Sequence, residues 1–197
     1  RPQAWQFGAL FGFSAVMVVA PYYLQPTQDG LYKHYQAVAE ATRLPLMLYN
    51  IPLFSGVNIQ PQTLAALAKI PNIRAIKEEA GRQPTQASEY ALVVPKHFSI
   101  YCGDDTMTVQ VLTQGGCGVV SGGSQVICDR VKKTIAAYLA GHVAEATALQ
   151  LGSFQFFQAL VQNGRVNPIP LLRDAISMTW RPVGAPRLPL LPGTTEE

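Results

Sequence analysis

Charged residues are sparse in this chain, 14% of its 197 residues, and the 15 Lys and Arg are scattered against 12 Asp and Glu rather than gathered into a run. A protein that tracks nucleic-acid phosphates carries a dense basic stripe, so a nucleic-acid partner is not expected. No GxGxxG or GxxxxGK[ST] stretch follows any apolar run, which leaves nucleotide binding without sequence support. Cysteine and histidine are few, three of each. Cys102, Cys117 and Cys128 have no metal-like spacing and are expected as reduced, partly buried thiols in a cytoplasmic protein. His34, His97 and His142 share no ligand spacing and are expected on surfaces, so they give no sign of a metal site. A long unbroken apolar span is also missing. Residues 9–23 are interrupted by Gly12 and Ser14 and ended by Pro21, which fits a helix end plus a strand better than a signal peptide or a membrane span.

What the chain has instead is a set of short apolar runs. Residues 15–21, 46–52, 73–79, 98–104 and 118–124 are each followed by a segment of helical character, a βα repeat. The residues closing the runs, near Tyr22, Tyr49, Lys77 and Gly103, recur every 26 to 28 positions, close to the length of one βαβ unit. Parallel strands would raise those side chains at one common edge, the C-terminal face on which barrel enzymes gather their catalytic groups. Hydrophobic residues make up 48% of the chain, which suits a buried parallel sheet.

Helices are expected over 28–42, with Leu31, Tyr35, Val38, Ala39 and Thr42 on one stripe, from Pro61, after Pro84 and over 126–140. Asp105 is expected to cap a helix from Met107 towards Gln114. Residues 2–11 read as the tail of a further helix. Beyond Gly141, residues 142–160 and 169–179 form helices that do not alternate with strands, and the proline-rich tail from Arg181 should run as an extended, weakly structured cap. The expected division is a partial barrel over 1–141 and a C-terminal helical subdomain and tail over 142–197. Five strands make an arc, whereas a closed barrel of this type takes eight.

Certain residues carry a closer resemblance. Tyr49-Asn50-Ile51-Pro52, then Lys77 within Ile76-Lys77-Glu78-Glu79-Ala80-Gly81, then Gly103-Asp104-Asp105 and Gly118-Val119-Val120-Ser121, are similar to the dihydrodipicolinate synthase and N-acetylneuraminate lyase family. Ala20-Pro21-Tyr22-Tyr23, Gly30-Leu31-Tyr32 and Asn167-Pro168-Ile169-Pro170 extend the match over nearly all of residues 14–192. The resemblance implies an α/β fold, a partial (β/α)8 TIM barrel holding about strands 4 to 8 with a C-terminal helical subdomain and lacking the N-terminal third. It implies a class I aldolase that condenses or cleaves pyruvate or another 2-oxo acid with an aldehyde, as in lysine biosynthesis, without metal or cofactor. Lys77 matches the Schiff-base lysine, Tyr49 the proton-shuttling tyrosine and Tyr23 a tyrosine lent across a subunit contact. Gly103, Val120 and Tyr22 fall at substrate-binding positions, and a homo-oligomer, dimer or tetramer, is implied.

Those residue types suit that chemistry by themselves. A free lysine titrates near about 10.4 and is a poor nucleophile until desolvated, which a strand end would achieve. An iminium with a 2-oxo acid draws electrons from the adjacent carbon, and a phenol such as Tyr49 can move the protons. The loop from Pro52 to Gly56, with its small residues, is expected to offer backbone N–H groups to a carboxylate. Glu78 with Glu79, and Asp104 with Asp105, could be taken for an acid pair or a metal site, but neighbouring strand residues face opposite ways and capping aspartates are common. Phe54 stands where the synthases carry a carboxylate-gripping arginine, which favours a 2-keto-3-deoxy sugar acid or N-acetylneuraminate type aldolase as the alternative. A truncated, non-catalytic remnant or subunit is the alternative of another class.

Overall fold

The computed structural model describes residues 12–81, 83–179 and 181–197, so the helix expected over 2–11 lies outside the described residues. Contacts group the chain into two compact units, one ending at Val120 and one beginning at Ser121.

The first unit holds five parallel strands in sequential order: β1 (Val16–Val19), β2 (Leu46–Asn50), β3 (Ile73–Glu78), β4 (Ser99–Cys102) and β5 (Gly118–Val119). Helices α1 (Gln28–Glu40), α2 (Pro52–Ser55), α3 (Pro61–Leu67), α4 (Thr85–Val93) and α5 (Thr108–Thr113) fill the connections, as the run spacing anticipates. β5 is shorter than its run. Only Gly118 and Val119 are strand, and the glycines that follow belong to the turn into the next helix.

One face of the sheet carries the core. Leu31, Tyr35 and Val38 of α1, Leu64 and Leu67 of α3 and Tyr90 of α4 are all sealed against Leu46, Leu48, Ile73, Ile76 and Ile100 of the strands. Each such aliphatic side chain contributes roughly 1.5–3 kcal/mol on burial. The α1 helix stops two residues earlier than expected, at Glu40, with Ala41 as C-cap. Thr27 starts that helix by accepting the Gly30 N–H on its hydroxyl, 3.2 Å away, and Pro61 opens α3 where its missing N–H costs nothing.

Two local expectations are corrected. The cap before α5 is Asp104, whose Oδ1 accepts the Thr106 N–H at 2.8 Å and its hydroxyl at 2.6 Å, because a short 3₁₀ turn (Asp105–Met107) intervenes and moves the cap back one residue. Of the three thiols only Cys102 is buried, Cys117 and Cys128 lying on exposed surface. His97 and His142 are exposed as anticipated, while His34 is half-buried edge-on to the Tyr35 ring.

The second unit contains α6 (Ser124–Leu139), α7 (Val143–Ala159) and α8 (Ile169–Thr179). The boundary expected at 141 therefore differs from the division of contacts: α6 packs on α7 and α8, and Arg130 Nη1 donates to the Gly152 carbonyl at 2.7 Å. Leu160, Leu171 and Leu172 form its buried cluster.

The tail is extended but firmly tied, contrary to expectation. Arg165 clasps Glu197 through two parallel hydrogen bonds, Nε to Oε1 at 2.7 Å and Nη2 to Oε2 at 2.8 Å, and also donates to the carbonyls of Leu191 and Pro192. Such forked pairing holds the Glu197 carboxyl down to about 2. A carboxylate lowered on folding stabilises above its ordinary value and loses that contribution as pH falls through the folded one. Arg165→Ala is accordingly expected to lower the protection of the amides across 190–197, their exchange measured against the intrinsic rate at the same pH, and acidification towards about 2 should lower that protection in the unmodified protein. Among the described residues no helix is long and apolar enough to cross a membrane.

Candidate active site

Parallel pairing sets one residue from each strand in a row: Val19 beside Tyr49, Tyr49 beside Lys77, Lys77 beside Tyr101, and Tyr101 beside Gly118. Side chains alternate along a strand, so the members of the row share the sheet face away from α1, α3 and α4. Ile76 and Glu78, on either side of Lys77, turn the other way and are buried among the helices, 0% and 3% exposed.

On the inner face Lys77 Nζ lies 4.0 Å from the centroid of the Tyr49 ring and 3.3 Å from Glu79 Oε2. The Tyr49 hydroxyl donates to that same Oε2 at 2.8 Å. An ammonium over an aromatic face and against a carboxylate is held by both attractions. The Lys77 and Glu79 side chains retain only 12% and 25% of their exposure.

Gly103 closes the site from β4. A Cβ there would stand 2.7 Å from Glu79 Cβ and 2.9 Å from Lys77 Cε, so only a glycine leaves room. Its N–H donates to the Glu78 carbonyl at 2.7 Å, and the Val120 N–H donates to the Cys102 carbonyl at 2.9 Å. Both positions thus spend their donors extending the sheet, and what they can present to a ligand is a carbonyl and a small profile.

Burial sets the electrostatics. It pushes the Glu79 carboxyl above the ordinary carboxylate range, with the charge of Lys77 and the Tyr49 and Lys77 hydrogen bonds pulling it back only in part and Asp104 adding to the rise. The Tyr49 hydroxyl is raised by burial first and by Glu79 second, so it remains a proton donor. Cys102 is pushed up to about 12, again by burial first, and is a thiol rather than a nucleophilic thiolate.

The expected residues divide accordingly. Tyr49, Lys77 and Gly103 come together, with Val120 one strand further along the same edge. Tyr22 and Tyr23 stand apart on the loop after β1, 68% and 90% exposed, Tyr23 with φ at +71°. The Pro52–Gly56 loop keeps most of the N–H groups expected of it for its own hydrogen bonds. It folds into α2, and the N–H groups of Phe54, Ser55 and Gly56 are taken by the carbonyls of Ile51 and Pro52. Phe54 is 46% exposed. Glu78 and Glu79 form no acid pair, since they point to opposite faces. Glu79 was not among the expected site residues, yet its spacing of two from Lys77 is a signal for a shared strand face.

A model described as the dihydrodipicolinate synthetase family matches residues 3–197. The chain belongs to that family. It is 45% identical over 186 residues to a 4-hydroxy-tetrahydrodipicolinate synthase of Desulforudis audaxviator, covering 94% of this chain and 62% of that one. Its fold overlays the crystal structure of a dihydrodipicolinate synthase from Bacillus anthracis with a TM-score of 0.90 at 38% identity, covering 98% of this chain and 64% of the other. A Cyanidioschyzon merolae structure of the same family, with lysine bound, gives a TM-score of 0.92 at 36% identity, with the same coverage. The five-stranded sheet is therefore part of a TIM barrel, and the chain spans about 62% of the length of such relatives.

Proposed function

We propose that the protein is a Schiff-base lyase of the 4-hydroxy-tetrahydrodipicolinate synthase type, in which Lys77 forms an imine with pyruvate or a related 2-oxo acid that then joins an aldehyde. The observation that carries this reading is the pairing of Tyr49 with Lys77 in one register row, which holds a phenolic donor against the only lysine of the sheet's inner face among the described residues. Gly103 and Val120 wall the pocket, and Tyr22 reaches the substrate from the exposed loop after β1. Tyr23 supports assembly of a homo-oligomer: a tyrosine 90% exposed in a left-handed backbone conformation is presented outward by the fold rather than packed within it.

Phe54 favours a second reading within the class, an aldolase acting on 2-keto-3-deoxy sugar acids. An aromatic side chain offers no bidentate fork to the carboxylate of aspartate semialdehyde. Turnover of pyruvate with aspartate semialdehyde, set against cleavage of a keto-deoxy sugar acid, separates the two.

The deciding experiment for the class is intact mass after incubation with pyruvate and borohydride. A single reduced adduct mapped to Lys77, absent in Lys77→Ala, is the expected result. A folded protein without adduct would favour the non-catalytic reading.

A further inference from the structure

Glu79 is the feature of the site that the Lys77 and Tyr49 reading leaves without a task. Its single oxygen Oε2 is shared by the Tyr49 hydroxyl, at 2.8 Å, and by Lys77 Nζ, at 3.3 Å. A carboxylate that only balanced the lysine charge would gain most by staying in water, where pairing costs little desolvation. This one is three-quarters withdrawn from solvent and is aimed at the nitrogen that must lose a proton before it can attack a carbonyl.

We propose that Glu79 is a catalytic acid–base residue for imine formation on Lys77, and the inference rests on the function proposed above. The Glu79 carboxylate takes one proton from the Lys77 ammonium, leaving a neutral amine and a carboxylic acid. The amine lone pair forms the C–N bond at C2 of the 2-oxo acid as the C=O π bond breaks onto oxygen. A second proton passes from nitrogen to that oxygen through the Tyr49 hydroxyl, giving a neutral carbinolamine. Glu79 then returns its proton to the hydroxyl, the C–O bond breaks and water leaves. The iminium retains one N–H and the positive charge with which Lys77 began, and Glu79 is again a carboxylate.

Two features favour this exchange. A substrate that covers the site drives water from it, and in a drier site a neutral amine–acid pair is favoured over an ion pair. The Glu79 carboxyl already lies above its ordinary value, nearer to a proton exchange at working pH. The groups facing it are Lys77 and Tyr49 on the inner face, with Asp104 and Cys102 from the end of β4.

Glu79 must be ionised to act as a base, so imine formation should fall as pH drops through its raised value. The test is timed quenching of the purified protein and pyruvate with borohydride, read by mass for the unmodified chain, Glu79→Gln, Glu79→Ala and Lys77→Ala across pH. Thermal unfolding of each variant is followed in parallel. Expected results are an adduct on the unmodified chain, formation about a hundredfold slower in Glu79→Gln with the acidic limb gone, and recovery of the Glu79→Ala rate by added formate but none in Lys77→Ala. Formation in folded Glu79→Gln as fast as, or faster than, in the unmodified chain would overturn the proposal, since the carboxylate would then only hold the ammonium. An unmodified chain that forms no adduct overturns it together with the function it rests on. The two failures are told apart by the unmodified chain alone.

Discussion

Gly103→Ala is expected to slow imine formation on Lys77 by on the order of a hundredfold, although the substitution adds a single methyl group. The added carbon would stand 2.7 Å from Glu79 Cβ, an atom fixed to the backbone of the segment leaving β3, and 2.9 Å from Lys77 Cε. A flexible side-chain tip could swing clear. Glu79 Cβ cannot, so either β3 and β4 part, with strain on the Gly103 N–H bond to the Glu78 carbonyl at 2.7 Å, or the lysine stem is pushed aside. Overpacking of this kind costs about 1–3 kcal/mol, and a displacement near 1 Å at a reacting centre costs roughly a hundredfold in rate. Borohydride trapping alongside a urea titration reads both. An unchanged trapping rate would mean that Gly103 does not set the position of Lys77.

Glu78→Leu should damage stability severely, on the order of 3 kcal/mol in a urea titration. Glu78 lies on the helix side of β3, 3% exposed. Its Oε2 accepts Asn50 Nδ2 at 3.0 Å and Gln86 Nε2 at 3.1 Å, and its Oε1 accepts the Ala80 N–H at 2.6 Å. Asn50 in turn accepts the Ile59 N–H at 2.9 Å, so one buried network ties β2, β3, α4 and the chain entering α3. Leucine removes the acceptor and leaves those donors buried. Glu78→Gln keeps an acceptor and should cost less.

The pH dependence provides a separate check. Burial raises the Glu78 carboxyl above 4.5, with the hydrogen bonds from Asn50, Gln86 and Ala80 countering part of the rise. The folded state then holds this proton more tightly than the unfolded chain does. Its contribution to stability is greatest below 4.5, declines as pH climbs through the folded value and is level beyond it. That decline should vanish in Glu78→Gln.

The strands and most helices were legible in the sequence because a parallel sheet buried by helices writes itself as short apolar runs at a steady interval. Lys77 and Tyr49 were legible for the same reason, since each closes a run. Glu79 was harder to see. It falls just past β3, where a charged residue ordinarily turns to water, and the Lys77 ammonium, the Tyr49 hydroxyl and the close approach of Gly103 hold it inward. The Pro52–Gly56 segment misleads because a proline and small residues suit an open donor loop as well as they suit a helical turn, and the choice depends on which carbonyls lie within reach. The clasp of Arg165 on Glu197 joins residues 32 positions apart through a tail with no periodic pattern, so nothing local announces it.

The alternation along β3 has a bearing on how such a protein can change over generations. Ile76 and Glu78 answer to the helices, Lys77 and Glu79 to the inner face, and the two sets are interleaved one residue at a time. Substitutions tolerated by folding and substitutions tolerated by chemistry therefore fall on alternate letters of the same short word. Drift can rewrite either set at its own pace, but a one-residue insertion or deletion would exchange them and forfeit both at once.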